Sequence, residues 1–145
     1  MEFTFRNAKA EDLEFLWNLH KATMKSYVDE VWGWDEEFQR EYFSNRFEPS
    51  NIELIIYESA RIGAIEVRDR EKELFIANLE ILPRFQNRGV GSAILKRLIK
   101  DSGNRQESLT LQVLKGNPAK RLYKRFGFKA VDSTETHIIM ERSVA

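Results

Sequence analysis

Residues 79–99 read LEILPRFQNRGVGSAILKRLI. The first four close a longer run, ELFIANLEIL over 73–82, that reads as a strand and stops at Pro83. From Ile94 the apolar residues Ile94, Leu95, Leu98 and Ile99 recur at helical spacing. Between strand and helix stand Gln86, Asn87, Arg88, Gly89 and Gly91. The first N–H groups of a helix have no internal partner, and the helix dipole adds partial positive charge to them. Together they favour an anion, and glycines let a ligand approach the backbone. A nucleotide P-loop would need GxxxxGK[ST], which is missing, and a dinucleotide fingerprint would need glycine where Ile94 stands.

Outward from this turn, alternation and turn residues divide the rest of the chain. EFTFR over 2–6 suggests a short strand. Residues 10–26 carry Leu13, Leu16, Trp17, His20 and Met24 on one helical side, behind Lys9, a poor N-cap. An aromatic connection, YVDEVWGW over 27–34, leads to a second helix capped by Asp35 and running to about Phe47. Strands are expected over 52–57, 62–68, 73–82 and 108–114, and a helix over 89–101. A last helix follows Asn117-Pro118 and stops at Gly127, before two β-like runs over 128–132 and 136–141. Consecutive strands form meanders and the late helices read as crossovers, which makes an α+β fold.

Composition narrows the function. The chain has 145 residues, 42% apolar and 32% charged, and reads as a single domain over 1–145 with enough residues for a real core. Lys+Arg and Asp+Glu both number 23, so no basic field favours nucleic acid. With no cysteine, disulfides, thiolate metal sites and a cysteine nucleophile are excluded, and His20 and His137 form no metal-ligand spacing. No metal and no membrane partner are expected. The early stretch MEFTFRNAKAED carries charge almost at once and does not read as a signal peptide, so a cytoplasmic location is expected.

At Gln86-x-x-Gly89-x-Gly91 the sequence resembles the GNAT superfamily of N-acetyltransferases, whose acetyl-CoA site carries [Q/R]-x-x-G-x-[G/A] between a strand and a helix. FRNAKAEDLEFL resembles the opening of that family, and LQVLKGNPAKRLYKRFGFK resembles its later motif with asparagine, tyrosine and a Gly-Phe pair. Asn117 and Tyr123 stand six apart, where the family more often has seven; a cap position for Asn117 absorbs the difference. The resemblance implies a GNAT-like fold, a central mixed and mostly antiparallel sheet flanked by about four helices. It also implies an acetyl-CoA co-substrate. Backbone amides of the turn Gln86, Asn87, Arg88, Gly89, Val90, Gly91 and Ser92 would hold the pyrophosphate. Ile81 and Leu82 would pair through their backbone with the pantetheine arm, and Asn117 would also meet the coenzyme.

The reaction so implied moves an acetyl group to an amine by direct attack. A lysine-like amine is neutral at pH 7 in only about one molecule in a thousand, so a group or water chain must take its proton. Tyr123 is the candidate acid for the leaving sulfur. Glu80 and Glu66 are candidate bases; strand alternation points Glu80 away from Leu79 and Ile81. His20, on the apolar side of its helix, reads as a core histidine rather than a catalyst. Lys96, Arg97 and Lys100 read as a solvated face. Tyr27, Trp32 and Trp34 would line the acceptor pocket, with Asp29, Glu30, Asp35 and Glu36 drawing a cation toward it. The acceptor is a small-molecule or peptide amine, and a homodimer is the expected assembly. Alternatives are a non-catalytic acetyl-CoA sensor and a transferase for another acyl-CoA.

Overall fold

The structure is a computed structural model that describes residues 2–144. Seven strands and four α-helices follow in the order β1 (Thr4–Asn7), α1 (Leu13–Trp32), α2 (Glu36–Asn45), β2 (Ile52–Tyr57), β3 (Ala60–Arg70), β4 (Glu73–Ile81), α3 (Val90–Asn104), β5 (Ser108–Leu114), α4 (Ala119–Arg125), β6 (Lys129–Ser133) and β7 (His137–Arg142). They make one mixed sheet in the order β1-β2-β3-β4-β5-β7-β6. Pairing is antiparallel for β1–β2, β2–β3, β5–β7 and β6–β7, and parallel for β4–β5, with α3 as the crossover. This is the GNAT fold.

The chain divides into two compact units. The first comprises the residues up to Glu66 together with Asn78–Gln86. Its core gathers Ala8, Leu16, Leu19, Ile52, Leu54 and Ala64, with Phe15, Phe43 and Leu82 packed around it. The second comprises Val67–Ala77 and the residues from Asn87 onward. There α3 buries Val90, Ile94, Leu95 and Leu98, and β5 buries Leu109, Leu111, Val113 and Leu114.

Three local features differ from the sequence pattern. The predicted connection over 27–34 is mostly helix: α1 continues through Trp32 and ends only where Gly33 adopts φ 79°. Nothing in YVDEVW breaks a helix, whereas Gly33 reaches positive φ without a Cβ penalty. The start of α1 is also secured in an unexpected way. Lys9 has no capping oxygen, but its backbone N–H donates to the Asp12 carboxylate at 2.8 Å, and a 3-10 turn over Ala10–Asp12 leads into the helix.

Asp12 is 1% exposed and also accepts hydrogen bonds from Arg6 at 2.9 and 3.0 Å and Arg61 at 3.1 Å. The Arg6 bonds are the leading cause that lowers its pKa to about 2, against the opposing effect of burial. The β2–β3 connection is tighter than predicted. Glu58 and Ser59, at φ 48° and 64°, form the turn, and β3 resumes at Ala60.

Candidate active site

In the second unit, Asn87 at φ 61° and Gly89 at φ 83° turn the chain into α3. Asparagine tolerates the left-handed region and glycine occupies it freely. The first helical bond closes from Ala93 N–H to Gly89 carbonyl at 3.0 Å. The amides of Val90, Gly91 and Ser92 therefore precede the ladder, and among the described residues no side chain caps them. At α2, by contrast, the Asp35 carboxylate accepts from Phe38 N–H at 3.0 Å. A Cβ built on Gly89 would meet nothing within 4 Å, so the space above this turn is open. Arg88 is exposed on the same turn, while Val90 anchors the helix start at 1% exposure. An uncapped helix N-terminus with a basic neighbour and open space fits a pyrophosphate.

The end of β4 belongs to the first unit. The parallel register with β5 covers Glu73–Ile76, and β4 itself runs on to Ile81. Gln86 Nε2 donates to the Ile81 carbonyl at 2.9 Å, so the motif glutamine ties down the strand end. Leu82 N–H donates to the Ile62 carbonyl at 2.8 Å, and the Leu82 carbonyl accepts from Phe85 N–H at 2.8 Å. Both backbone groups of Leu82 are thus engaged, and only a second carbonyl lone pair there can serve a ligand. Gly63 lies opposite. A Cβ on it would stand 2.5 Å from the Glu80 carbonyl oxygen and 3.2 Å from Ile81 Cα. The sequence pattern leaves Gly63 inside a strand without a role; close backbone approach is the role.

Glu80 is 8% exposed and its carboxylate has two partners on α1. His20 Nδ1 lies 2.8 Å from Oε2, and Thr23 Oγ1 donates to the same oxygen at 3.1 Å. Burial pushes the His20 pKa down; the hydrogen bond and charge of Glu80 outweigh it, and the net shift is upward. Phe43 stacks on the imidazole at 5.2 Å. Glu80, Glu66 and Asn78 line a pocket of about 20 Å³ together with Leu16, Phe43, Ile52 and Ala64. Sequence reasoning treats His20 as core packing. The available signal is that His20 and Thr23 stand three apart on one helix face. Their partner lies 60 residues further on in the case of His20.

In the second unit, Tyr123 is 9% exposed and meets Phe128 edge-on at 5.8 Å between centroids. Its carbonyl accepts from Phe126 N–H at 3.0 Å and Phe128 N–H at 3.1 Å, which fixes the end of α4. Pro118 is the N-cap of α4, and Asn117, one residue before it and not at the expected cap position, accepts from Ala119 N–H through Oδ1 at 2.9 Å. That leaves its Nδ2 donor for a ligand.

The aromatic segment is largely satisfied from within the first unit. Trp34 stacks on Trp17 at 5.9 Å, donates from Nε1 to Glu36, and carries Lys25 over its ring at 6.0 Å. Asp29 accepts from Trp34 N–H, Asp35 caps α2, and Glu36 also pairs with Lys21. Three of the four carboxylates expected to draw in a cation therefore have internal partners. Tyr27 is half-buried on α1, and Trp32 is 57% exposed. No group of three or more metal-ligating side chains occurs among the described residues. No helix among them is long and apolar enough to cross a membrane.

Comparison with known proteins matches residues 22–137 to the acetyltransferase (GNAT) domain. No curated protein matches. Among solved structures, the chain is similar to PaiA N-acetyltransferase from Thermoplasma acidophilum in complex with coenzyme A, with TM-score 0.80, 19% identity and 99% of each chain covered. It is similar to the ribosomal-protein-S18-alanine N-acetyltransferase of Escherichia coli, with TM-score 0.70, 22% identity and 99% and 96% of the two chains covered. It is also similar to Arabidopsis thaliana Naa50 in complex with the bisubstrate analogue CoA-Ac-MVNAL, with TM-score 0.68, 18% identity and 99% of each chain covered. At these identities the likeness is one of fold, and the family rests on the domain match across most of the chain: the protein belongs to the GNAT acetyltransferase family and is an acyltransferase.

Proposed function

We propose that the protein transfers an acetyl group from acetyl-CoA to a primary amine of a small molecule or peptide. The observation that carries this reading is the uncapped start of α3 behind the left-handed Asn87 and Gly89. Acetyl-CoA, when bound, supplies an acyl thioester reactive enough for direct attack. The amides of Val90, Gly91 and Ser92 hold its pyrophosphate, with Arg88 adding charge. Ile81, the Leu82 carbonyl and the Asn117 Nδ2 donor hold the rest of the coenzyme.

Glu80 takes the proton that the attacking amine must lose, and Tyr123 gives one to the departing sulfur. Tyr27, Trp32 and Trp34 form the acceptor wall. Beside this wall Glu36 is paired with Lys21, whereas Asp29 and Asp35 accept from neutral backbone N–H groups and still bring negative charge to a cationic amine. The reading takes residues 1–145 as one N-acetyltransferase domain, cytoplasmic and assembled as a homodimer. The name of the E. coli protein and the MVNAL portion of the Naa50 analogue put peptide N-termini among the acceptors to try.

The test is thiol release from acetyl-CoA in the presence of amines, polyamines, aminoglycosides, amino acids and peptide N-termini. Amine-dependent release with at least one class is expected. Release no faster than the amine-free control with every class contradicts the proposal.

A further inference from the structure

We propose that His20, held against Glu80 and Thr23, is a positioning residue that orients the Glu80 carboxylate to take the proton of the acceptor amine. The inference rests on the transferase reading above and adds a residue to it. Both Glu80 contacts fall on one oxygen: His20 Nδ1 at 2.8 Å and Thr23 Oγ1 at 3.1 Å meet Oε2. That leaves Oε1 as the accepting atom of the carboxylate. Glu80 lines the cavity of about 20 Å³ together with Glu66 and Asn78. A single water needs roughly 10–15 Å³ and two or more polar partners, so the space suits one water beside Glu80.

The groups that face His20 can be named from each packed element. They are Glu80 on β4, Phe43 on α2, and Trp17 and Thr23 on α1. Glu66 on β3 reaches the cluster through the cavity that it shares with Glu80. Glu80 is the charged group that acts on His20, and its pull outweighs the burial of the ring. An imidazolium beside the carboxylate opposes its taking up a proton, whereas a neutral imidazole does not.

The step balances on named atoms. The amine nitrogen forms a bond to the acetyl carbon and the carbon–sulfur bond breaks. The amine proton goes to Glu80 Oε1 while the His20 Nδ1–H stays on Oε2, and the Tyr123 hydroxyl supplies the proton that the thiolate gains. Exchange with solvent restores both groups.

Because the pair must be deprotonated to act, kcat is expected to rise with pH through the raised His20 ionisation. In a plot of kcat against pH, which reports groups in the substrate complex, His20→Asn should move this limb toward acid. The plateau should fall roughly tenfold. A residue that only packs the core would lower the plateau and leave the limb in place; an unmoved limb overturns the proposal.

Should His20→Asn fold poorly, NMR titration of the wild-type imidazoles gives a second measurement, with His137 assigned through His137→Gln. In Glu80→Gln the His20 pKa should fall, and an unchanged titration overturns the pairing. A wild-type enzyme inactive on every amine overturns the transferase reading, and this assignment with it. An active enzyme with an unmoved limb overturns the His20 assignment alone.

Discussion

A methyl group at position 63 would sit 2.5 Å from the carbonyl oxygen of Glu80, a distance real Cβ atoms do not tolerate. The neighbour is backbone, so β4 itself would have to move. Gly63→Ala is expected to destabilise the fold by about 1–3 kcal/mol, the usual effect of overpacking, in urea denaturation. It should also lower kcat, because the displaced strand carries Glu80.

Tyr123 makes a separate prediction. Tyr123→Phe keeps the ring that packs on Phe128 and removes only the hydroxyl, so coenzyme affinity should hold. Under the general-acid reading kcat drops about 100-fold or more. Unchanged turnover in the thiol-release assay would remove Tyr123 from the mechanism.

Asp12 acts on stability instead. Its folded pKa, about 2, lies below the ordinary value of 3.8, chiefly through Arg6. A lowered carboxylate pKa stabilises the fold fully above the unfolded value, and that contribution disappears as pH falls through the folded one. The two arginines remain partly exposed, so the contribution is discounted to roughly 1–2 kcal/mol. The stability gap between wild type and Asp12→Asn should be widest near neutral pH and begin to close below about pH 4 in denaturant titrations.

At the scale of elements, α2 and α3 begin in opposite ways. Helix α2 buries none of its residues fully, and its start depends on the Asp35 carboxylate. Asp35→Ala is expected to cost about 1 kcal/mol and to speed exchange of the Phe38 amide, read by hydrogen exchange. Helix α3 buries Val90, Ile94, Leu95 and Leu98 and tolerates an open N-terminus.

Element boundaries were legible where residues act locally. The strands over 52–57 and 108–114 fall where alternation places them, and Gly89 and Gly127 take the positive φ that their positions require. The end of α1 was less legible, because a cluster of aromatics resembles a break while the real stop is Gly33. Pairings across the sequence left little trace. The Glu80 side chain reads as half of an alternation, and its partners sit on a helix 57 and 60 residues away. Likewise, Glu36 reads as free negative charge until Lys21 is found beside it.

For the molecule as a whole, the strand order and the domain match fix family and fold, and the formal net charge of zero leaves no global attraction for polyanions. Coenzyme recognition must then be local, which places the central claim on the turn that opens α3. That claim is tested most directly by calorimetric titration of coenzyme A into the wild-type protein and into Gly89→Glu. A glutamate there adds a side chain where φ is 83° and sets a negative charge beside the proposed phosphate site. The account predicts saturable binding to the wild type and a loss of at least about 100-fold in the variant, with circular dichroism unchanged. Equal affinity of a folded Gly89→Glu protein for coenzyme A would contradict it.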